Sequence, residues 1–237
     1  MRKFIAVLLI FLVVALPIGT ALAETTTYVP LKMKKDYKLK PSTESTDIYK
    51  LNLTSDSIVI LKWMNNTEFS AGIEIYKNKE CTIGVAHPWI RDKEKGSGQL
   101  TIPKGKYYIK MYDDNAKSIV SFNCMKLTTP KNISPAKATK LAANKTAYAA
   151  LLPMQTKACW YKFSVSKRKN ITFYFNSFNG YNFMLYDEDM RSAGGMSAGS
   201  GEYSIDRLLS RGVYYIAVIS TGAASKYCGD AVSIKWK

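Results

Sequence analysis

Residues able to do chemistry are sparse in this 237-residue chain, and the single histidine sets the limit. A Ser-His-Asp or Cys-His site needs an imidazole held by a third group and facing a nucleophile. Nothing in the stretch around His87-Pro88-Trp89 has that form, and one histidine excludes the multi-His sites of zinc enzymes. Two acidic clusters, Asp113-Asp114-Asn115 and Asp187-Glu188-Asp189, offer oxygen ligands of the kind calcium takes. Each follows a tyrosine where a strand should end, and neither has EF-hand spacing. There Asp and Asn stabilise turns through their own backbone. The sequence therefore predicts no catalytic residue, no metal ligand and no cofactor.

Binding chemistry is better represented. Four tryptophans, Trp63, Trp89, Trp160 and Trp236, are candidates either for packing or for platforms that stack on sugar rings. Trp89, beside Pro88 in a predicted loop, and Trp160, on the opposite strand face from Tyr161 and Phe163, are the two candidates for ligand contact. The formal net charge is +16, and it stays strongly positive once Arg2 and Lys3 are removed with a leader. The larger excess lies in residues 131–237, where Lys167-Arg168-Lys169 is the densest run and is expected to form an exposed turn. Such a surface attracts anions over long range and is screened by salt. An exported chain rarely meets nucleic acid, which leaves anionic cell-wall polymer or polysaccharide as the expected partner.

Four cysteines allow three pairings. Two fall in each half, so Cys81–Cys124 and Cys159–Cys228 are the economical disulfides for an exported protein, with free buried thiols as the alternative.

The elements that must carry these residues are strands. Arg2 and Lys3, an apolar run over Phe4–Ile18 and Ala21-Leu22-Ala23 read as a signal peptide over 1–23, with the mature chain starting at Glu24. No later run is apolar enough to span a bilayer as a helix. Alternation with period two dominates the rest: Tyr107, Ile109 and Met111 share one face, with Tyr108, Lys110 and Tyr112 opposite. Ile58–Leu61 reads as a strand buried on both faces. Only Ala136–Ala150 has helical composition. Two anchors recur in the same order. Asp47-Ile48-Tyr49-Lys50-Leu51 and Gly105-Lys106-Tyr107-Tyr108-Ile109 are answered by Cys159-Trp160-Tyr161-Lys162-Phe163 and Gly212-Val213-Tyr214-Tyr215-Ile216. The repeat predicts two copies of one unit, residues 24–130 and 131–237, joined through the Pro130–Pro135 segment. Many short strands with no covering helices predict an all-β chain of two tandem antiparallel β-sandwich domains, jelly-roll-like in form.

With these anchors aligned, each half resembles the bacterial pre-peptidase C-terminal domain. The opening strand matches at Asp47–Leu51 and Trp160–Phe163. A middle strand ending in a Leu-Tyr-Asp-like turn matches at Ile73–Tyr76 and Phe183–Asp187. The closing Gly-x-Tyr-Tyr strand matches at Gly105 and Gly212, where glycine would permit a positive φ. The resemblance implies a small secreted sandwich that accompanies hydrolases, so a separate secreted hydrolase is a second expected partner. The expected function is a secreted or cell-surface, non-catalytic binding or adhesion module for an anionic or glycan target. The alternative is a structural or secretion-assisting envelope protein with no specific ligand.

Overall fold

The computed structural model describes residues 26–41, 47–65, 71–90, 95–115, 117–128, 130–155, 157–178, 180–199, 201–220 and 227–237. The leader read over 1–23 lies outside the described residues. The first half contributes β1 (Thr27–Pro30), β2 (Asp36–Lys38), β3 (Asp47–Leu53), β4 (Ser57–Met64) and β5 (Ala71–Tyr76). It continues with β6 (Gly84–Ala86), β7 (Trp89–Ile90), β8 (Lys95–Ile102), β9 (Gly105–Tyr112) and β10 (Ile119–Lys126). The second contributes β11 (Thr139–Lys140), β12 (Ala147–Ala150), β13 (Cys159–Val165), β14 (Lys169–Ser177) and β15 (Tyr181–Tyr186). It ends with β16 (Ser192–Ala198), β17 (Gly201–Leu209), β18 (Gly212–Ser220) and β19 (Gly229–Trp236).

The duplication read from the anchors is a duplication of topology. One sheet of the first half runs β1-β3-β9-β5-β6, with β7 also on β5; its counterpart runs β11-β13-β18-β15-β16. Pairing is antiparallel except where β1 meets β3 and β11 meets β13, which are parallel in both copies. The facing layers, β8-β4-β10-β2 and β17-β14-β19 with β12, are matched in the same way. They are also hydrogen-bonded to each other, because Gly229 and Asp230 of β19 pair with Thr101 and Leu100 of β8. The two sandwiches therefore share one continuous sheet.

Each sandwich has its own core, and alternation decides what enters it. Tyr107, Ile109 and Met111 are buried in the first, Tyr161, Phe163 and Val165 in the second. The leading tyrosine of each closing pair is structural. Tyr107 donates to the Pro103 carbonyl at 2.9 Å and Tyr214 to the Ser210 carbonyl at 3.2 Å, four residues back in both copies. Of the two glycines before these pairs, only Gly105 takes a positive φ, +155°; the expectation for Gly212 fails. A β-carbon at Gly212 would meet nothing closer than the Tyr214 ring at 3.7 Å.

The helical reading of 136–150 is also corrected. A single 3₁₀ turn at Pro135–Lys137 is followed by β11 and β12. Asn144, at φ +61°, turns the chain in a left-handed conformation that no helix tolerates. Ile58–Leu61 is indeed buried on both faces. Val59 and Leu61 point into the first core, while Ile58 and Ile60 pack against Ala150 and Ala231 of the second half.

Candidate binding surfaces

The outward faces of the two non-shared sheets carry the same cross-strand row. In the first half Lys50 of β3 lies opposite Tyr108 of β9, which lies opposite Tyr76 of β5. In the second, Lys162 of β13 lies opposite Tyr215 of β18, which lies opposite Tyr186 of β15. Both lysines are exposed and all four tyrosines are half-buried. Core packing does not demand this pattern, because these positions face away from both cores.

Around the first row the side chains form a charged aromatic lattice. The Lys50 ammonium stands 5.1 Å over the Tyr28 ring, whose edge meets Tyr108 at 6.1 Å. Tyr76 donates to Glu74 Oε2 at 2.6 Å and lies edge-on to His87, the lone histidine, at 5.9 Å. Burial, then the hydrogen bond and charge of Glu74, push the Tyr76 phenol well above its ordinary range, so it acts as a neutral donor. Around the second row the surface is more apolar. Trp160 is half-buried and its ring lies 5.6 Å from that of Tyr186, tilted by 32°. The two half-buried rings together cover part of one outward face.

The other residues singled out in the sequence fall as follows. Lys167 and Arg168 are exposed in the turn between β13 and β14, as expected. Lys169 is not part of that turn: it opens β14, half-buried, with its ammonium 5.3 Å over Trp236. Trp89 lies in β7 rather than in a loop, paired with Gly72; only its strand position is described. Trp63 and Trp236 are packing residues. Trp63 stacks on Phe178 across the junction of the halves, and Trp236 Nε1 donates to the Leu141 carbonyl at 3.0 Å.

The acidic clusters serve turns. Fully buried Asp113 accepts backbone hydrogen bonds from Asn115, Lys117 and Ser118 at 2.8–3.0 Å. Burial alone would raise its pKa, but the Ser118 hydroxyl and then these backbone bonds outweigh it and hold the carboxyl below its usual range. Asp187 Oδ1 accepts in the same way from Asp189 and Arg191.

The expected disulfides are not formed: Cys81, Cys124, Cys159 and Cys228 are free thiols. The physical reason is placement. Cys159 belongs to the second core, whereas Cys228, reached just before β19 joins the shared sheet, is packed into the first. Cys81 sits with φ +54° in the bend between β5 and β6, and Cys124 lies on β10 in the opposite sheet.

Sequence reasoning named Trp160 but missed the rows. Their signal was available in the repeat itself, where Lys50 and Lys162, and Tyr108 and Tyr215, occupy equivalent outward positions.

No family model and no curated protein matches this chain. Among solved structures, it is similar to the pre-peptidase C-terminal domain of collagenase from Bacillus anthracis. That match is 21% identical over 42% of this chain and 94% of the other, with a TM-score of 0.36. It is also similar to tandem family-51 carbohydrate-binding modules of a family 98 glycoside hydrolase from Streptococcus pneumoniae. There the identity is 11%, over 79% of this chain and 80% of the other, with a TM-score of 0.25. Tandem family-22 modules from Paenibacillus barcinonensis match at 10% over 79% and 82%, with a TM-score of 0.23. The sandwich assignment stands on the three sheets described above.

Proposed function

We propose that the chain is a secreted, non-catalytic binding module whose two outward sheet faces hold an anionic glycan or cell-wall polymer. The observation that carries this reading is the repeated Lys-Tyr-Tyr row. Half-buried tyrosines on a sheet face supply rigid rings for sugar faces, and the adjacent lysine supplies a positive charge. Two such rows on one chain give bivalent attachment to a repeating polymer, which raises avidity without a new type of contact. The exposed Lys167–Arg168 turn adds attraction at long range.

The test is binding of residues 24–237 to purified anionic cell-wall polymer and to its neutral glycan counterpart, at about 0.05 and 0.5 M salt. Over that range the Debye length shrinks from roughly 14 to 4 Å, so the turn's share should vanish at the higher salt. Lys167→Gln with Arg168→Gln should weaken binding only at low salt. Tyr108→Ala with Tyr215→Ala should weaken it at both, by about tenfold or more given about 1 kcal/mol or more per stacked ring. Wild-type protein that binds neither polymer at either salt would favour a structural envelope role instead.

A further inference from the structure

The shared sheet creates a valley that neither sandwich has alone. Beside the Gly229–Thr101 contact, outward residues of β4, β8 and β10 and of β12, β14 and β19 line one space. The space between them has a volume of about 760 Å³, within the range of sites that enclose small ligands. Its apolar base includes Ile60, buried against Ala150 and Ala231 with Tyr148 alongside. On the second-half wall Tyr174 is 39% exposed, in a cross-strand row with Lys235, and the Lys237 ammonium stands 5.2 Å over its ring. Lys62 is exposed on the first-half wall.

Charge and hydrogen-bonding capacity both point to a ligand. Three lysines line the valley against one carboxylate, Glu202. Asn176, only 7% exposed, bridges the halves: its amide donates to the Ser97 carbonyl at 2.5 Å and to Glu202 Oε1 at 3.2 Å. Gln99 returns a bond to the Asn176 carbonyl across the same junction. Asn176 Oδ1, by contrast, is buried without a partner. An unmet acceptor costs about 1–3 kcal/mol when it serves packing alone. Here it belongs to a wall whose other amides already join the two halves.

We propose that this valley is a second ligand site, specific for a short acidic oligosaccharide of the uronate type. A sugar ring would lie on Tyr174, and its carboxylates would be met by Lys62 and Lys235. Hydroxyls would reach the amide side chains of the walls. The site is distinct from the outward rows, because its residues lie on the shared sheet and the rows lie on the two sheets opposite. It differs from them in kind too: the rows suit a long polymer laid over a face, the valley a segment of a few rings.

The test uses residues 24–237 and a hexameric oligogalacturonate, with its fully methyl-esterified form as the neutral control, followed by calorimetry. The acid form should bind and the ester should bind at least tenfold more weakly. Tyr174→Ala, and separately Lys62→Gln with Lys235→Gln, should each lower affinity tenfold or more. Tyr108→Ala with Tyr215→Ala should lower it less than either valley change does, since a hexamer is too short for the bivalent attachment that the rows give a long polymer. Loss of binding in the row variant but not in the valley variants would overturn this site and leave the row reading standing. Equal binding of acid and ester, or equal competition by a single-stranded thymidine oligomer, would overturn the uronate assignment. No binding of the hexamer by wild type would remove the valley site, whatever the long polymer does.

Discussion

Gly229→Ala probes the junction that joins the two sandwiches. No positive φ forces glycine at this position; the constraint is contact. A β-carbon there would overlap the Leu151 carbonyl oxygen and come within 2.5 Å of Thr101 Oγ1 and 2.6 Å of the Leu152 carbonyl carbon. Two of these three atoms are backbone, so no rotamer change relieves the clash. Thr101 Oγ1 already donates to that same Leu151 carbonyl at 2.7 Å, and the Leu151 amide donates to Asp230. Relief must therefore separate β19 from the Leu151–Leu152 backbone, which breaks the Leu151–Asp230 hydrogen bond and disturbs the Gly229–Thr101 pair beside it. Overpacking costs about 1–3 kcal/mol, and each lost hydrogen bond about 1 kcal/mol more. The expected destabilisation is about 3–5 kcal/mol, a large share of an ordinary domain's stability. Urea unfolding followed by tryptophan fluorescence reads it well, since Trp63 stacks at the junction and Trp236 is buried in the second core. We take 24–130 and 131–237 as the folding units. On that reading the wild type unfolds in one coupled transition, and the variant separates into two. A variant that unfolds in one transition within about 1 kcal/mol of wild type would refute both the contact argument and the coupling.

Cysteine chemistry and acid stability give two further checks. Burial pushes Cys124 and Cys159 up to about 11 and Cys228 up to about 12, so at pH 8 these thiols are protonated, and Cys159 and Cys228 are shielded as well. In native protein iodoacetamide should label Cys81 first, Cys124 more slowly, and Cys159 and Cys228 only on unfolding, as read by mass spectrometry of digests. Fast labelling of Cys159 or Cys228 would contradict the packing, and peptides linked through Cys81–Cys124 or Cys159–Cys228 would reinstate the disulfides. Asp113, with its pKa held below the ordinary value, contributes stability that is present above the unfolded-state pKa of about 3.9 and lost as pH falls through the folded value. Asp113→Asn should lower the urea midpoint at pH 7, by about 1–3 kcal/mol in stability, and the gap from wild type should narrow at pH 3. A gap that is constant with pH would show that the charge of Asp113 plays no part.

How far the sequence could be read follows from which interactions are local. Alternation and the two anchors suffice for strand faces, because a residue's side of a sheet depends on parity alone. They place Tyr107, Tyr161 and Phe163 inside and Trp160 outside without knowledge of any partner. The turn roles of Asp113 and Asp187 are equally local, since the groups they bind lie within five residues. The junction is another matter. Its one trace in the sequence is an asymmetry between equivalent strands: β4 is apolar on both faces, whereas β14 turns Thr172, Tyr174 and Asn176 outward. That asymmetry says that something covers Ile58 and Ile60. It cannot say that the cover is Ala150 and Ala231, because that depends on where β19 meets β8, a pairing of residues more than a hundred positions apart. The cysteine pairing failed for the same reason. Assigning one pair to each half assumed that each half keeps its own residues, and Cys228 crosses into the other core at the point where the sheets join. The valley exists only because of that crossing, so its lysines and tyrosines, spread over β4, β14 and β19, carried no common signal in the chain. A duplicated sandwich is legible strand by strand; what the two copies make together is legible only once their shared edge is known.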